Sequence, residues 1–150
     1  MADLTTTITE SVVLNGALRG NSNTVTTTGI NNVFERIVGC IHSQTTTVAV
    51  FDTAPFTSAG AIDVENVRYI RVTNLDLTVS LVLAVVTTGT NYQVRLTPGT
   101  SHILSRGAET AIGEVDVTPA FGTMQDLTSL QVRPEGATTS PQVSVFVGAV

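Results

Sequence analysis

The chain has 150 residues, 42% of them apolar and only 13% charged, about half the charged share of ordinary soluble domains. That is one domain's worth of sequence, enough to bury roughly two-thirds of the unfolded surface. A net charge of −5, with single scattered arginines and no lysine, excludes the clustered positive charge a nucleic-acid surface needs.

Threonine and valine dominate, in runs such as Thr5-Thr6-Thr7, Thr26-Thr27-Thr28 and Thr45-Thr46-Thr47. β-Branched side chains are stiff at χ1 and fit a pleated surface better than a helix. Cys40 is the only cysteine, so no intramolecular disulfide can form. Met1-Ala2-Asp3-Leu4 has neither basic nor apolar leader character, and the longest apolar run, Leu81 to Val86, is too short for a membrane span. The expectation is a soluble protein made in a cytoplasm, with no membrane partner.

In chain order, Ile8, Glu10, Val12 and Leu14 alternate with polar residues before Asn15-Gly16, a strong two-residue turn signal. A short strand is predicted near Thr24 to Thr28, a mixed one over Val33 to Ile41, and a brief apolar one over Val48 to Phe51. Thr53 to Gly60, with Pro55, reads as a loop. Val67 to Thr73 alternates, with Val67, Tyr69 and Arg71 on one face and Arg68, Ile70 and Val72 on the other. Asn74 to Asp76 reads as a turn into Thr78 to Val86, the most apolar and central strand. Tyr92 to Leu96 and Ser101 to Leu104 flank Pro98-Gly99; a turn of helix is predicted near Thr123 to Leu127. Leu127 to Arg133 and Val143 to Val147 close the chain around a loop from Pro134 to Pro141.

The sum is an all-β fold of eight to ten short antiparallel strands, a β-sandwich of jelly-roll type in a single domain over 1–150. Residues 1–9 form an N-terminal arm or the first strand of the chain's own sheet. As an arm, Asp3 to Thr9 would add to a neighbour's sheet.

Edge strands of soluble monomers are usually guarded by lysine, inward charge, proline or bulges. Here lysine is absent, charges are few and prolines number five. The expectation is that edges are covered in an assembly, where arginine also suits planar, bidentate contacts.

Residues able to do chemistry are sparse. Cys40-Ile41-His42 would put a thiol and an imidazole on one strand face, but no CxxC or HxxxH partner completes a metal site, and spacing alone does not align a base with a thiol. His102 stands in no motif. Asp63/Glu65 and Glu114/Asp116 alternate as paired carboxylates might, but a glycosidase dyad brings acids across a cleft beside aromatic platforms. Tryptophan is absent, and Tyr69 and Tyr92 are the only tyrosines. These acids read as solvated loop charges. No glycine-rich phosphate loop occurs. Hence no enzyme activity, catalytic residue, cofactor or metal is expected.

Val67-Arg68-Tyr69-Ile70-Arg71-Val72-Thr73-Asn74, Leu81-Val82-Leu83 and Leu96-Thr97-Pro98-Gly99-Thr100-Ser101 form one pattern with the opening Ile8-Thr9-Glu10-Ser11-Val12-Val13-Leu14-Asn15-Gly16. The closing Leu127 to Val132 and Val143 to Val147 extend it. This pattern resembles small β-sandwich virion proteins of tailed bacteriophages, especially those of marine and cyanobacterial phages. The resemblance implies a structural virion subunit, a capsid decoration or cement protein, often trimeric, that packs on the major capsid protein and on itself. Neck, tail or fibre placement is the rival within that class. A carbohydrate-binding, receptor-recognising jelly roll is the alternative outside it; a small cupin-like enzyme would need a histidine cluster the chain lacks.

Overall fold

The computed structural model describes residues 1–57, 60–105, 124–136 and 138–150. The chain is all-β: its core is a sandwich of a five-stranded and a four-stranded sheet, as the composition implies. The strands are β1 (Ala2–Thr9), β2 (Val12–Leu14), β3 (Ala17–Arg19), β4 (Ser22–Ile30), β5 (Asn32–Gly39), β6 (Thr46–Asp52), β7 (Ile62–Asp63) and β8 (Val67–Asn74). They continue with β9 (Leu81–Thr87), β10 (Asn91–Leu96), β11 (Ser101–Leu104), β12 (Leu127–Pro134) and β13 (Gln142–Ala149).

One sheet has the order β10-β9-β12-β6-β7, the other β11-β8-β13-β5. The pairing is nested: β5 with β13, β6 with β12, β8 with β11, β9 with β10. A long hairpin folded across itself gives that order, the winding of a jelly roll. All pairs are antiparallel except β6 with the two-residue β7.

Period-2 alternation places the core. Leu81, Leu83 and Val85 of β9, with Leu130 and Val132 of the neighbouring β12, face Ile70 and Val72 of β8 and Val143, Val145 and Val147 of β13 in the other sheet, all at most 1% exposed. The alternation expected for Val67 to Thr73 holds for Ile70 and Val72 inside and Tyr69 and Arg71 outside. It fails at Val67, which is buried because a register shift opposite Gly148 and Ala149 turns the strand's start inward. The strand expected to be central begins at Leu81 rather than Thr78 and lies second in its sheet, with β12 in the middle. Residues 75–80 are a turn pinned by Asp76, whose carboxylate accepts from the Thr78 and Val79 amides at 2.7 Å each. Asn74, fully buried, ties this corner to the next: its Nδ2 donates to the carbonyls of Val79 and Leu96. The turn of helix expected near Thr123 to Leu127 lies partly outside the described residues. From 124 on there is an isolated bridge at Gln125 and then β12.

β1 to β4 stand apart from the sandwich. β1 pairs with β4 and β2 with β3, so residues 2–30 form one two-stranded ribbon. The segment expected over 1–9 is thus one strand of a longer hairpin, hydrogen-bonded to its own chain.

Candidate assembly surface

The ribbon is closed by a turn that only certain residues can make. Asn15 and Gly16 have φ of 51° and 75°, the left-handed values of a type I′ turn. Midway the ladder is interrupted at Glu10-Ser11 and Gly20-Asn21. Gly20 sits at φ 112°, and a Cβ there would run into the Glu10 carbonyl. The Glu10 amide donates to the Asn21 carbonyl across the break at 2.8 Å.

Register gives the two faces different chemistry. One carries only hydroxyls between the break and the base: Thr5 opposite Thr26, Thr7 opposite Thr24, Thr9 opposite Ser22, with the last two pairs hydrogen-bonded at 3.0 Å. The other carries Leu4 opposite Thr27, Thr6 opposite Val25 and Ile8 opposite Asn23. At the base, Leu4 and Ile30 lie over Gly148 of β13, filling the space a side chain would take. Beyond the base the ribbon leaves its own body. Val12, Val13, Leu14 and Leu18 are 57 to 72% exposed, and Ile8 and Val25 are also open to solvent.

The second half of the surface is the edge of the four-stranded sheet. Among the described residues, β5 pairs on one side only, with β13. Val33 and Ile37 project outward and are exposed, while Phe34 and Val38 pack against the core. The Arg36 guanidinium lies 5.2 Å from the centre of the Phe34 ring. Between β5 and β7, the facing edge of the other sheet, a cleft of about 610 Å³ opens, lined by Phe34, Arg36, Phe56, Ile62, Asp63 and Asn66 among others. The Phe56 ring stands at its rim, wholly exposed.

The opposite side of the sandwich is closed. Tyr92 of β10 and His102 of β11 hydrogen-bond there across the two sheets at 3.1 Å. On the outer face of the five-stranded sheet, Thr45, Asn91, Gln93, Gln131 and Arg133 surround a shallow floor of Val82 and Ala84.

The residues singled out for chemistry do not converge. β5 ends at Gly39, so Cys40 and His42 are not on one strand face: Cys40 is buried in the core and His42 lies in the following turn, its Nδ1 3.5 Å from Ser43 Oγ. Burial pushes the Cys40 thiol up to about 11, and its Sγ donates to the Val38 carbonyl, so it is not a thiolate nucleophile at neutral pH. Asp63 caps a single 3₁₀ turn, accepting from the Glu65 amide and from Asn66 Nδ2. Glu114 and Asp116 lie outside the described residues. Among the described residues, no three His, Cys, Asp or Glu side chains gather to hold a metal ion, and no helix is long and apolar enough to cross a membrane.

Two sequence signals mark the surface that chemistry-seeking motifs miss. No proline occurs before Pro55, and between Leu4 and Gly39 the only charges are Glu10, Arg19, Glu35 and Arg36. The ribbon is therefore sparsely guarded, and on β5 only Glu35 and Arg36 stand against strand addition. Compared with protein-family models, curated proteins and solved structures, the chain matches none.

Proposed function

We propose that this protein is a structural virion subunit of a tailed bacteriophage, a capsid decoration protein that packs on copies of itself and on the capsid shell. The observation that carries the reading is the ribbon of residues 2–30, whose apolar tip is held away from its own body. An isolated two-stranded ribbon is marginal in water, and a projecting apolar one calls for a covering surface. The sequence pattern resembling phage virion β-sandwiches supplies the setting. The role is mechanical: apolar and backbone contacts between subunits resist the pressure of packaged DNA, with arginines meeting carboxylates on neighbours. A trimer is the favoured oligomer.

The test is the molar mass of the purified protein by light scattering across a dilution series. A closed oligomer, a trimer above all, that persists on dilution is expected. A monomer at every concentration would remove self-assembly from the reading.

A second reading has its own observation. The amide, hydroxyl and guanidinium groups of Thr45, Asn91, Gln93, Gln131 and Arg133 around Val82 and Ala84 form a shallow polar dish, suited to hydrogen-bonding sugar hydroxyls. It has no aromatic platform, which ranks it second. A glycan array with the whole protein decides it: saturable binding lost in Gln131→Ala favours a receptor-recognition role.

A further inference from the structure

We propose that the ribbon tip of one copy, residues 12–19, seats in the cleft between β5 and β7 of a second copy and pairs with the free edge of β5. The inference rests on the assembly reading above and names its contact.

Four observations lead to a second copy as the occupant. The tip cannot be a surface at rest on its own body, because Val12, Val13, Leu14 and Leu18 are all more than half exposed. Nor is the chain's own cleft its natural seat: the ribbon begins beside it, since Asn31 and Asn32 at its root line that cleft. At about 3.3 Å per residue, β1 and β2 carry the tip up to roughly 40 Å away.

The two surfaces also match in chemistry. The ribbon's only charges between Leu4 and Ile30 are Glu10 and Arg19, flanking the break, and the cleft presents Arg36 and Asp63. The tip's valine and leucine side chains meet Phe34, Phe56 and Ile62 in the cleft.

The third observation is backbone accounting. β5 has eight residues and, among the described residues, a partner on one side only; it has neither proline nor lysine to block strand addition, and its only charges are Glu35 and Arg36. A ribbon edge laid there satisfies those amides and carbonyls and turns a two-stranded element into part of a larger sheet. Fourth is size. The eight-residue tip is small against the roughly 20–30 residues per side of a standard stable interface, so the contact holds where each copy makes it twice, once giving and once receiving, as a ring of copies does.

The contact joins unlike surfaces, so each copy gives a tip to one neighbour and receives one from another. Such a heterologous contact closes into a ring when the rotation permits and otherwise continues as a filament. The favoured trimer is the ring that closes at three.

The test uses the full chain. Leu18→Asp and Phe56→Asp each change a solvent-exposed side chain, so both variants should keep the wild-type circular dichroism and melting temperature. Each is expected to raise the concentration for half-dissociation at least about tenfold, the effect of losing one well-buried contact. In parallel, chains carrying Leu18→Cys are mixed with chains carrying Phe56→Cys under mild oxidation. A disulfide-linked pair is expected, and a mixture with Leu77→Cys, exposed outside the cleft, should give none.

If wild type assembles but both aspartate variants assemble equally well and cross-linking does not favour Phe56→Cys, the tip-in-cleft contact is overturned while the assembly reading stands. If wild type is monomeric at every concentration, both fall, and the tip's occupant is a different protein.

Discussion

Tyr92 and His102 meet across the two sheets, the phenol oxygen 3.1 Å from the imidazole Nε2 and the rings edge to face with centroids 6.0 Å apart. They form the clasp of the closed side, and burial acts on both: it raises the phenol's pKa and lowers the imidazole's. Because the imidazole is held neutral in the fold, the unfolded chain takes up its proton first once pH drops below about 6.5. The stabilisation is complete above that value and is lost as pH falls toward the lower folded-state value. The melting temperature should therefore fall between pH 7.5 and pH 5. His102→Gln should flatten that part of the profile; an unchanged profile in the variant would show that His102 is not the titrating group. Tyr92→Phe should cost about 0.5–1.5 kcal/mol in urea unfolding, the worth of one hydrogen bond.

The corner turn at residues 75–80 supplies an acid-side counterpart. Amides of Thr78 and Val79 hold the Asp76 carboxyl below the usual carboxylate range. Its contribution is present above the ordinary aspartate value and fades as pH falls through the folded one. Asp76→Ala should lower the urea midpoint at pH 7 more than Asp76→Asn, which keeps an acceptor oxygen. Equal effects would mean the amide contacts do not matter.

Two leucines on the same stretch of chain should separate core from surface. Leu83 is fully buried between β10 and β12, and Leu77 is 88% exposed. Leu83→Ala should cost about 2–5 kcal/mol of folding stability by transfer loss and cavity formation. Leu77→Ala should change it by less than about 0.5 kcal/mol. Chemical denaturation of the two variants side by side measures both.

Glycines beneath the ribbon's base and at its midway break give a graded series. A Cβ at Gly148 would lie 3.4 Å from Leu4 Cδ2 and 3.6 Å from Ile30 Cδ1, ordinary contact distances. Gly148→Ala should be close to neutral, whereas Gly148→Val should lift the ribbon's base and speed proteolysis within residues 2–30. Gly20→Ala meets both a left-handed φ and the Glu10 carbonyl, and should disturb the ribbon without lowering the melting temperature of the sandwich. Hydrogen exchange resolved by segment reads the difference.

Much of the sandwich was legible in the residues, because period-2 alternation and turn chemistry are local. Asn15-Gly16 makes the turn it promises, and Val48 to Phe51, Tyr92 to Leu96, Ser101 to Leu104 and Val143 to Val147 all lie within strands. What alternation does not encode is the partner. Ile8, Val12 and Leu14 read as one face of an alternating strand, yet among the described residues their strands find no third neighbour and stay in solvent. Val67 falls on the other face because Arg68 is an extra residue in β8 where it pairs with Gly148 and Ala149, an irregularity that alternation does not reveal. Cys40 and His42 do not share a strand face because strand ends cannot be fixed to a residue from composition, and β5 stops at Gly39, two residues short of the expected Ile41. The candidate surface left only a negative imprint, the scarcity of charge and proline up to residue 54.

The nested pairing has a consequence in time. β13 lies between β5 and β8, and its Gly148 is the seat on which Leu4 and Ile30 rest. During synthesis the ribbon emerges from the ribosome well before β13, so its footing and the described partner of β5 are made more than a hundred residues later. A sheet closed by such distant pairings forms slowly, and until then the apolar tip has no rigid base from which to reach a neighbour. Chains interrupted before β13 would lack both the anchored ribbon and the ordered edge, so the assembly proposed above would wait until β13 is in place.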